Sequence, residues 1–231
     1  KADYSQQEPR LLTHWACLVG QMGAEEVKEA YKKSDLDFHQ QTADMAGVER
    51  RLAKTIGLGV MYGMGYNKMA RELDIDPQDA KKMLKDFRER VPFMQGMLEA
   101  VMNRANSKGI IRTLLGRKCR FDLWEPTQWG VHKALPHNQA KVEYGEAIKR
   151  AGTYKALNRL IQGSAADQTK KAMVDVYEQL GVVPLIQVHD ELDCSVKDEK
   201  QAKEIQRVME TCVELEVPSK ADIDLGESWG G

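Results

Sequence analysis

The stretch Glu49-Arg-Arg-Leu-Ala-Lys-Thr-Ile-Gly-Leu-Gly-Val-Met-Tyr-Gly63 sets Arg50, Lys54, Leu58 and Tyr62 at four-residue steps. Residues four apart lie one above another on a helix. The spacing therefore predicts a helix with two cations and an aromatic ring on one slowly turning stripe. Two cations on one face can grip a polyphosphate, and a ring further along can stack on a base or a sugar. A solvated charged face is the commoner outcome for such a stripe. Two carboxylate motifs elsewhere in the chain raise the nucleotide reading above it. Gly57, Gly59, Gly63 and Gly65 interrupt the helical pattern of residues 44–73. Glycine is costly inside a helix, so four of them point to a bend, or to close approach of a ligand or another helix.

Outward from this stretch the helical pattern dominates. Asp76 and Pro77 read as an N-cap and first helical position, followed by Ala80, Met83, Leu84 and Phe87 on one face. Val91-Pro92 stops that helix. A second carries Phe93, Met97, Leu98, Val101 and Met102 inward and stops at Lys108-Gly109. Residues 110–114 and 118–121 flank Leu115-Gly116-Arg117 as a hairpin, and Arg112, Arg117, Lys118 and Arg120 make it the most basic short stretch. Residues 124–136 read as irregular, and residues 139–180 as helix with Gly181 as C-cap. Strands are expected only at the two ends. Ala2-Asp3-Tyr4-Ser5 reads as the end of one, before a helix that Pro9 opens and that carries Leu11, Leu12, Trp15 and Leu18. Residues 185–188 and 192–196 read as two strands joined at His189-Asp190-Glu191, followed by a last amphipathic helix burying Ala202, Ile205, Val208 and Cys212. A few strands at the ends with a long helical section between favour α+β over doubly wound α/β.

At 231 residues the chain can bury the core of one domain or two subdomains. Charged residues make up 30% with a net charge of -1, so global charge neither announces nor excludes nucleic acid; local patches set the field at a groove. No stretch is apolar enough to span a membrane, and the first residues do not read as a signal peptide. Cys17, Cys119, Cys194 and Cys212 are scattered without metal-ligand spacing and read as reduced thiols of a cytosolic protein.

The carboxylates complete the constellation. Asp3 stands at a strand end, and Asp190 and Glu191 at a tight turn between strands. Mg²⁺ takes oxygen ligands, often one or two carboxylates plus substrate phosphates. Asp3 and Asp190 are the pair that would hold two metals astride a phosphate. Each element also has an ordinary reading: a cap for Asp3, a polar hairpin turn for 189–191, core packing for Leu58 and Tyr62, an exposed ribbon for the basic hairpin.

Asp3-Tyr-Ser-Gln-Gln-Glu-Pro-Arg10 resembles motif A of the family A (DNA polymerase I-like) DNA polymerases. Arg50-Arg-x-x-Lys54-x-x-x-Leu58-x-x-x-Tyr62-Gly63 resembles motif B, and Gln187-Val-His-Asp-Glu191 motif C. Asn158-x-x-x-Gln162-Gly163-x-Ala165-Ala166-Asp167 is similar to the palm helix that lies along the duplex, and Gly226-Glu-Ser-Trp229 to the family's C-terminus. Each match is weakly specific; four in chain order are strong evidence.

The resemblance implies an α+β fold: a palm with a small antiparallel sheet and packed helices at 1–10 and 148–231, and mostly helical fingers at 11–147. It implies template-directed DNA synthesis from dNTPs on primer-template DNA, with two Mg²⁺ ions, Mn²⁺ as a substitute, and release of pyrophosphate. Asp3 and Asp190, with the carbonyl of Tyr4, would be the metal ligands. Arg50, Lys54 and His39 would hold the triphosphate, with Lys54 stabilising the leaving group. Tyr62 would stack near the templating position, and Glu8 would lie against the sugar 2′ position and exclude ribonucleotides. Asn158 and Gln162 would contact the duplex, and His189 and Glu191 would sit near the primer 3′ end. Three positions depart from the pattern: Leu58, where Phe or Tyr packs by the sugar 3′ position; Tyr154, where many relatives carry a duplex-contacting Arg; and Pro9, in place of Leu. The thumb, any exonuclease and the earlier palm strands are not in this sequence, which reads as part of a larger polymerase, phage-like in its Gln7-Glu8-Pro9 variant and Leu58, and cytoplasmic in a bacterial or phage-infected cell. The rival readings are a single-subunit phage-type RNA polymerase, against which Glu8 argues, and a non-catalytic nucleic-acid-binding fragment.

Overall fold

The computed structural model describes residues 1–33, 36–128 and 130–229. In chain order the elements are β1 (Ala2–Tyr4), α1 (Gln7–Leu18), α2 (Ala24–Lys33), α3 (Phe38–Ala46), α4 (Arg50–Met61), α5 (Tyr66–Leu73), α6 (Pro77–Arg90) and α7 (Pro92–Lys108). There follow β2 (Ile110–Arg112), β3 (Lys118–Arg120), β4 (Leu123–Pro126), β5 (Leu135–Pro136), α8 (His137–Tyr144) and β6 (Ile148–Arg150). After a 3₁₀ turn at Thr153–Lys155, α9 (Ala156–Leu180), β7 (Pro184–Val188), β8 (Glu191–Cys194), α10 (Glu199–Thr211) and β9 (Ala221–Ile223) complete the chain. The fold is α+β. It divides into two compact units, residues 1–41 with 161–231, and residues 42–160.

The first unit is built on an antiparallel sheet in the order β7-β8-β1-β9. Alternation along β1 buries Ala2 and Tyr4 and leaves Asp3 on the opposite, open face. Ala2 and Tyr4 join Leu192, Ala221, Ala172 and Val176 of α9, and Ile205, Val208 and Met209 of α10 in one apolar core. Tyr4 donates its hydroxyl to the Met209 carbonyl at 2.7 Å, so the ring is both packed and satisfied. Trp229 donates Nε1–H to Asp193 Oδ2 at 2.7 Å and ties the C-terminal segment to β8. The start of α1 is fixed by the buried Gln7, whose amide donates toward the Ala165 carbonyl, Gln168 Oε1 and Thr169 Oγ1 of α9. Further along α1, His14 accepts the Glu216 N–H on Nδ1 at 3.0 Å. Burial holds the pKa of His14 below its ordinary 6.5. A histidine whose pKa folding depresses contributes no penalty at neutral pH and a growing one below, because the unfolded chain takes up the proton first. Melting temperature should fall as pH drops below about 6.5, more steeply for the wild type than for His14→Gln; parallel curves would refute this.

The second unit is mostly helical. α4 turns Ala53, Ile56, Gly57, Val60 and Met61 inward, and α7 supplies Phe93, Met94, Met97, Val101 and Ala105. Asp76 caps α6 by accepting the Gln78 N–H at 2.7 Å, with Pro77 in the first turn, and Gly109 at φ 67 ends α7. Gly57 lies within regular helix, and a Cβ there would meet Met94 and Phe87 at 3.7 and 3.9 Å, ordinary contact. Gly57→Ala should therefore raise stability by about 0.5–1 kcal/mol through helix propensity alone. Chemical denaturation measures it; a loss would show that Gly57 is required by something other than space.

Two sequence expectations need correction here. Residues 124–136 are not irregular throughout: the two ends of the stretch are strands, β4 pairing with β5 and with β6 in a three-stranded sheet, while residues 127, 128 and 130–134 between them are irregular as expected. Within that stretch Trp129 lies outside the described residues. Nor is 139–180 one helix. α8 stops at Gly145 (φ 77) and a second left-handed glycine, Gly152 (φ 69), precedes α9. Between them Ile148–Arg150 pairs with β4, and the Arg150 guanidinium stacks 4.7 Å from the Trp124 ring while donating to the carbonyls of Asn106 and Phe121. The helical periodicity was real on both sides; two glycines and one arginine break it.

Candidate active site

In the first unit the sheet gathers carboxylates in a row. Register places Asp3 opposite Glu191 on β8 and opposite Asp222 on β9. Val188 pairs with Glu191, leaving His189 and Asp190 as a two-residue turn in which His189 takes φ 57. The Tyr4 N–H points at the Asp190 carbonyl at 3.4 Å, so the motif C turn sits at the end of β1. Partial burial between its neighbouring strands, then repulsion from Asp190, Glu191 and Asp222, pushes the Asp3 carboxyl above the usual carboxylate range. His189 Nδ1 lies 3.1 Å from Asp190 Oδ1 and the imidazole is exposed. Among the described residues no three His, Cys, Asp or Glu side chains form a ready-made metal cage. An oxygen-only set of this openness fits Mg²⁺, which keeps waters and shares its shell with substrate phosphates.

Three more of the expected site residues belong to the first unit. Glu8, half-buried, is in the first turn of α1. His39, half-buried, is in the first turn of α3, where Asp37 Oδ1 accepts the N–H groups of His39 and Gln40 at 3.0 and 3.1 Å. That carboxylate serves as the helix cap. Gln162 is exposed on α9, one turn after Asn158.

In the second unit α4 presents the expected stripe. Arg50 and Lys54 are exposed, Leu58 is half-buried, and Tyr62 keeps 36% of its surface. Tyr62 caps the helix, its N–H on the Leu58 carbonyl at 2.9 Å. Gly63 then turns the chain away at φ 68. The buried face of α4 is what forces these four side chains outward: with Ala53, Ile56, Gly57 and Val60 inside, the positions at 50, 54, 58 and 62 fall on the other side.

The pattern describing DNA polymerase family A matches residues 1–231. The chain belongs to DNA polymerase family A. It is 37% identical to a DNA-directed DNA polymerase of Pseudomonas phage M6, over 99% of this chain and 37% of that protein. It is 31% identical to the thermostable DNA polymerase I of Thermus filiformis, over 99% of this chain and 26% of that protein. Among solved structures it resembles the POL domain of Pol1 from M. smegmatis in complex with DNA primer-template and dNTP, with a TM-score of 0.76, 29% identity, and 99% and 39% of the two chains covered. This family A chain thus spans between about a quarter and two fifths of the length of these relatives. Among its described residues no helix is long and apolar enough to cross a membrane.

Sequence reasoning missed one carboxylate of this row. Asp222 adjoins Asp3 through the β1–β9 pairing. The only signal was the short Ala221-Asp222-Ile223 alternation before 226–229, and three residues are too few to call a strand.

Proposed function

We propose that this chain is the nucleotidyl-transfer core of a DNA-directed DNA polymerase, with the first unit as palm and the second as fingers. Residues 11–41, which a boundary at residue 11 assigns to the fingers, belong to the first compact unit. The reading is carried by one observation: strand register sets Asp3 between Glu191 and Asp222 with the Asp190 turn at its end. Carboxylates gathered on one open face repel one another, and a cation held between them would offset that repulsion.

Asp3, Asp190 and the Tyr4 carbonyl would hold two magnesium ions. Such ions lower the proton affinity of an attacking hydroxyl and steady a leaving phosphate. In the reaction proposed, the primer 3′-oxygen loses its proton and bonds to the α-phosphorus of a dNTP, and the bond from that phosphorus to pyrophosphate breaks. Arg50, Lys54 and His39 would bind the triphosphate, and Lys54 would offset the charge that grows on pyrophosphate. Tyr62 would stack at the templating position. Glu8 would bar a 2′-hydroxyl, Asn158 and Gln162 would bear on the duplex, and His189 and Glu191 would flank the primer terminus. The stripe of α4 supports these roles, because its cations are exposed while its apolar face is buried.

Primer extension with Mg²⁺ and four dNTPs, or four rNTPs, tests the proposal on this chain and on a version extended N-terminally. Extension with dNTPs by either supports it. Extension only by the longer version places the grip on DNA outside these residues. Silence from both, or preference for rNTPs, overturns it. Leu58→Tyr should raise the ratio of dideoxynucleotide to deoxynucleotide incorporation, since a ring hydroxyl there can replace the missing 3′-OH; an unchanged ratio would count against placing Leu58 by the sugar.

A further inference from the structure

Among the described residues Gln6, Asp74 and His189 are the non-glycine residues with positive φ. Asp74 ends a helix and His189 makes a two-residue turn, ordinary places for this conformation. Gln6 (φ 54, ψ 43) sits at the junction of β1 and α1, where a long unbranched side chain gains nothing from a left-handed backbone. What it gains lies in its amide. Nε2 donates to the Leu36 carbonyl at 2.7 Å, and Oε1 accepts the Phe38 N–H at 2.9 Å. The two bonds run in opposite directions to backbone groups two residues apart, so the amide stands in for a strand partner. Tyr31 adds its hydroxyl to Oε1 at 3.5 Å. Beyond the clamp, the Phe38 ring is buried and Asp37 caps α3 on His39 and Gln40.

We infer that Gln6 is a positioning residue for His39, fixing the backbone that carries this side chain relative to the strand that carries Asp3. Three residues after Asp3 and two before Glu8, Gln6 lies between the two residues proposed to meet the metal and the sugar. Its side chain extends the reach of residues 3–8 to a third group 33 positions away. Only an amide serves, because the segment offers one acceptor and one donor: a carboxylate lacks the donor, and an ammonium lacks the acceptor. The inference rests on the proposed role of His39 at the triphosphate.

The test uses the polymerase that carries this chain at its natural length. Gln6→Gly removes the clamp while accepting the left-handed backbone without strain, so folding is retained and the melting temperature should stay near that of the wild type. The dNTP KM should rise about tenfold with kcat within about threefold. His39→Ala should raise KM at least as much, and the double variant no further than His39→Ala alone, because Gln6 acts through His39. Gln6→Glu, which keeps the acceptor and loses the donor, should give an intermediate KM, and decides the matter alone if the glycine variant unfolds. A KM unmoved by Gln6→Gly or Gln6→Glu while His39→Ala raises it overturns the inference and leaves the polymerase reading standing. Multiplying effects in the double variant also overturn it. An unmoved KM in His39→Ala removes the role of His39 and the inference with it.

Discussion

Asp190→Ala should lower single-turnover primer extension by about 10³-fold or more while leaving duplex affinity within about threefold. The expectation starts from position. Asp190 lies in a two-residue turn outside the apolar core, its side chain 29% exposed and beside His189 Nδ1, so its loss leaves the apolar core intact. It is also the largest source of charge repulsion on Asp3. Removing it relieves the sheet, and the melting temperature should hold or rise. Activity lost together with stability would mean that the variant merely unfolds. Activity within tenfold of wild type in a folded protein would show that the carboxylate row is not where the phosphate reacts. Rapid-quench extension, binding by fluorescence anisotropy and a melting curve on the same preparations separate the three cases.

Gly63→Ala should be the most damaging small substitution in the second unit. At φ 68 an alanine is strained by about 1–2 kcal/mol. Its Cβ would also fall 2.7 Å from the Tyr154 carbonyl oxygen. That neighbour is backbone and cannot swing aside, so overpacking adds about 1–3 kcal/mol. Together they correspond to a drop in melting temperature of roughly 5–15 °C. The turn at Gly63 directly follows Tyr62, so extension efficiency should fall further than the loss of folded protein explains. A variant that melts within about 2 °C of wild type would show that the chain re-routes at this turn. Gly57→Ala is the matched control, since both replace a glycine of the same segment and only one meets a fixed atom.

The contrast between these glycines shows what the sequence could and could not disclose. Four-residue periodicity placed the α4 stripe correctly because one apolar face decides a helix's orientation. The carboxylate turn was legible because two short strand-like stretches, 185–188 and 192–196, flank three consecutive polar residues. Asp222 was not, because pairing between β1 and β9 joins residues more than two hundred positions apart, and nothing local encodes it. The three-stranded sheet of β4, β5 and β6 was hidden for a different reason. Its strands are short, partly exposed and held by Arg150 on Trp124, a contact with no periodic signature. The Gln6 clamp was equally invisible, since a glutamine's partners are set by tertiary approach and not by its neighbours.

The row Glu191–Asp3–Asp222 also bears on how this sequence can be improved in the laboratory. Glu191 and Asp222 press on Asp3 from either side, so neutralising Asp3 relieves the fold while removing a charge the proposed site needs. A campaign that ranks variants by heat resistance or soluble yield alone would enrich such neutral substitutions and converge on robust, inert protein. Robustness has to be sought elsewhere, at positions such as Gly57, with catalytic output measured in every round.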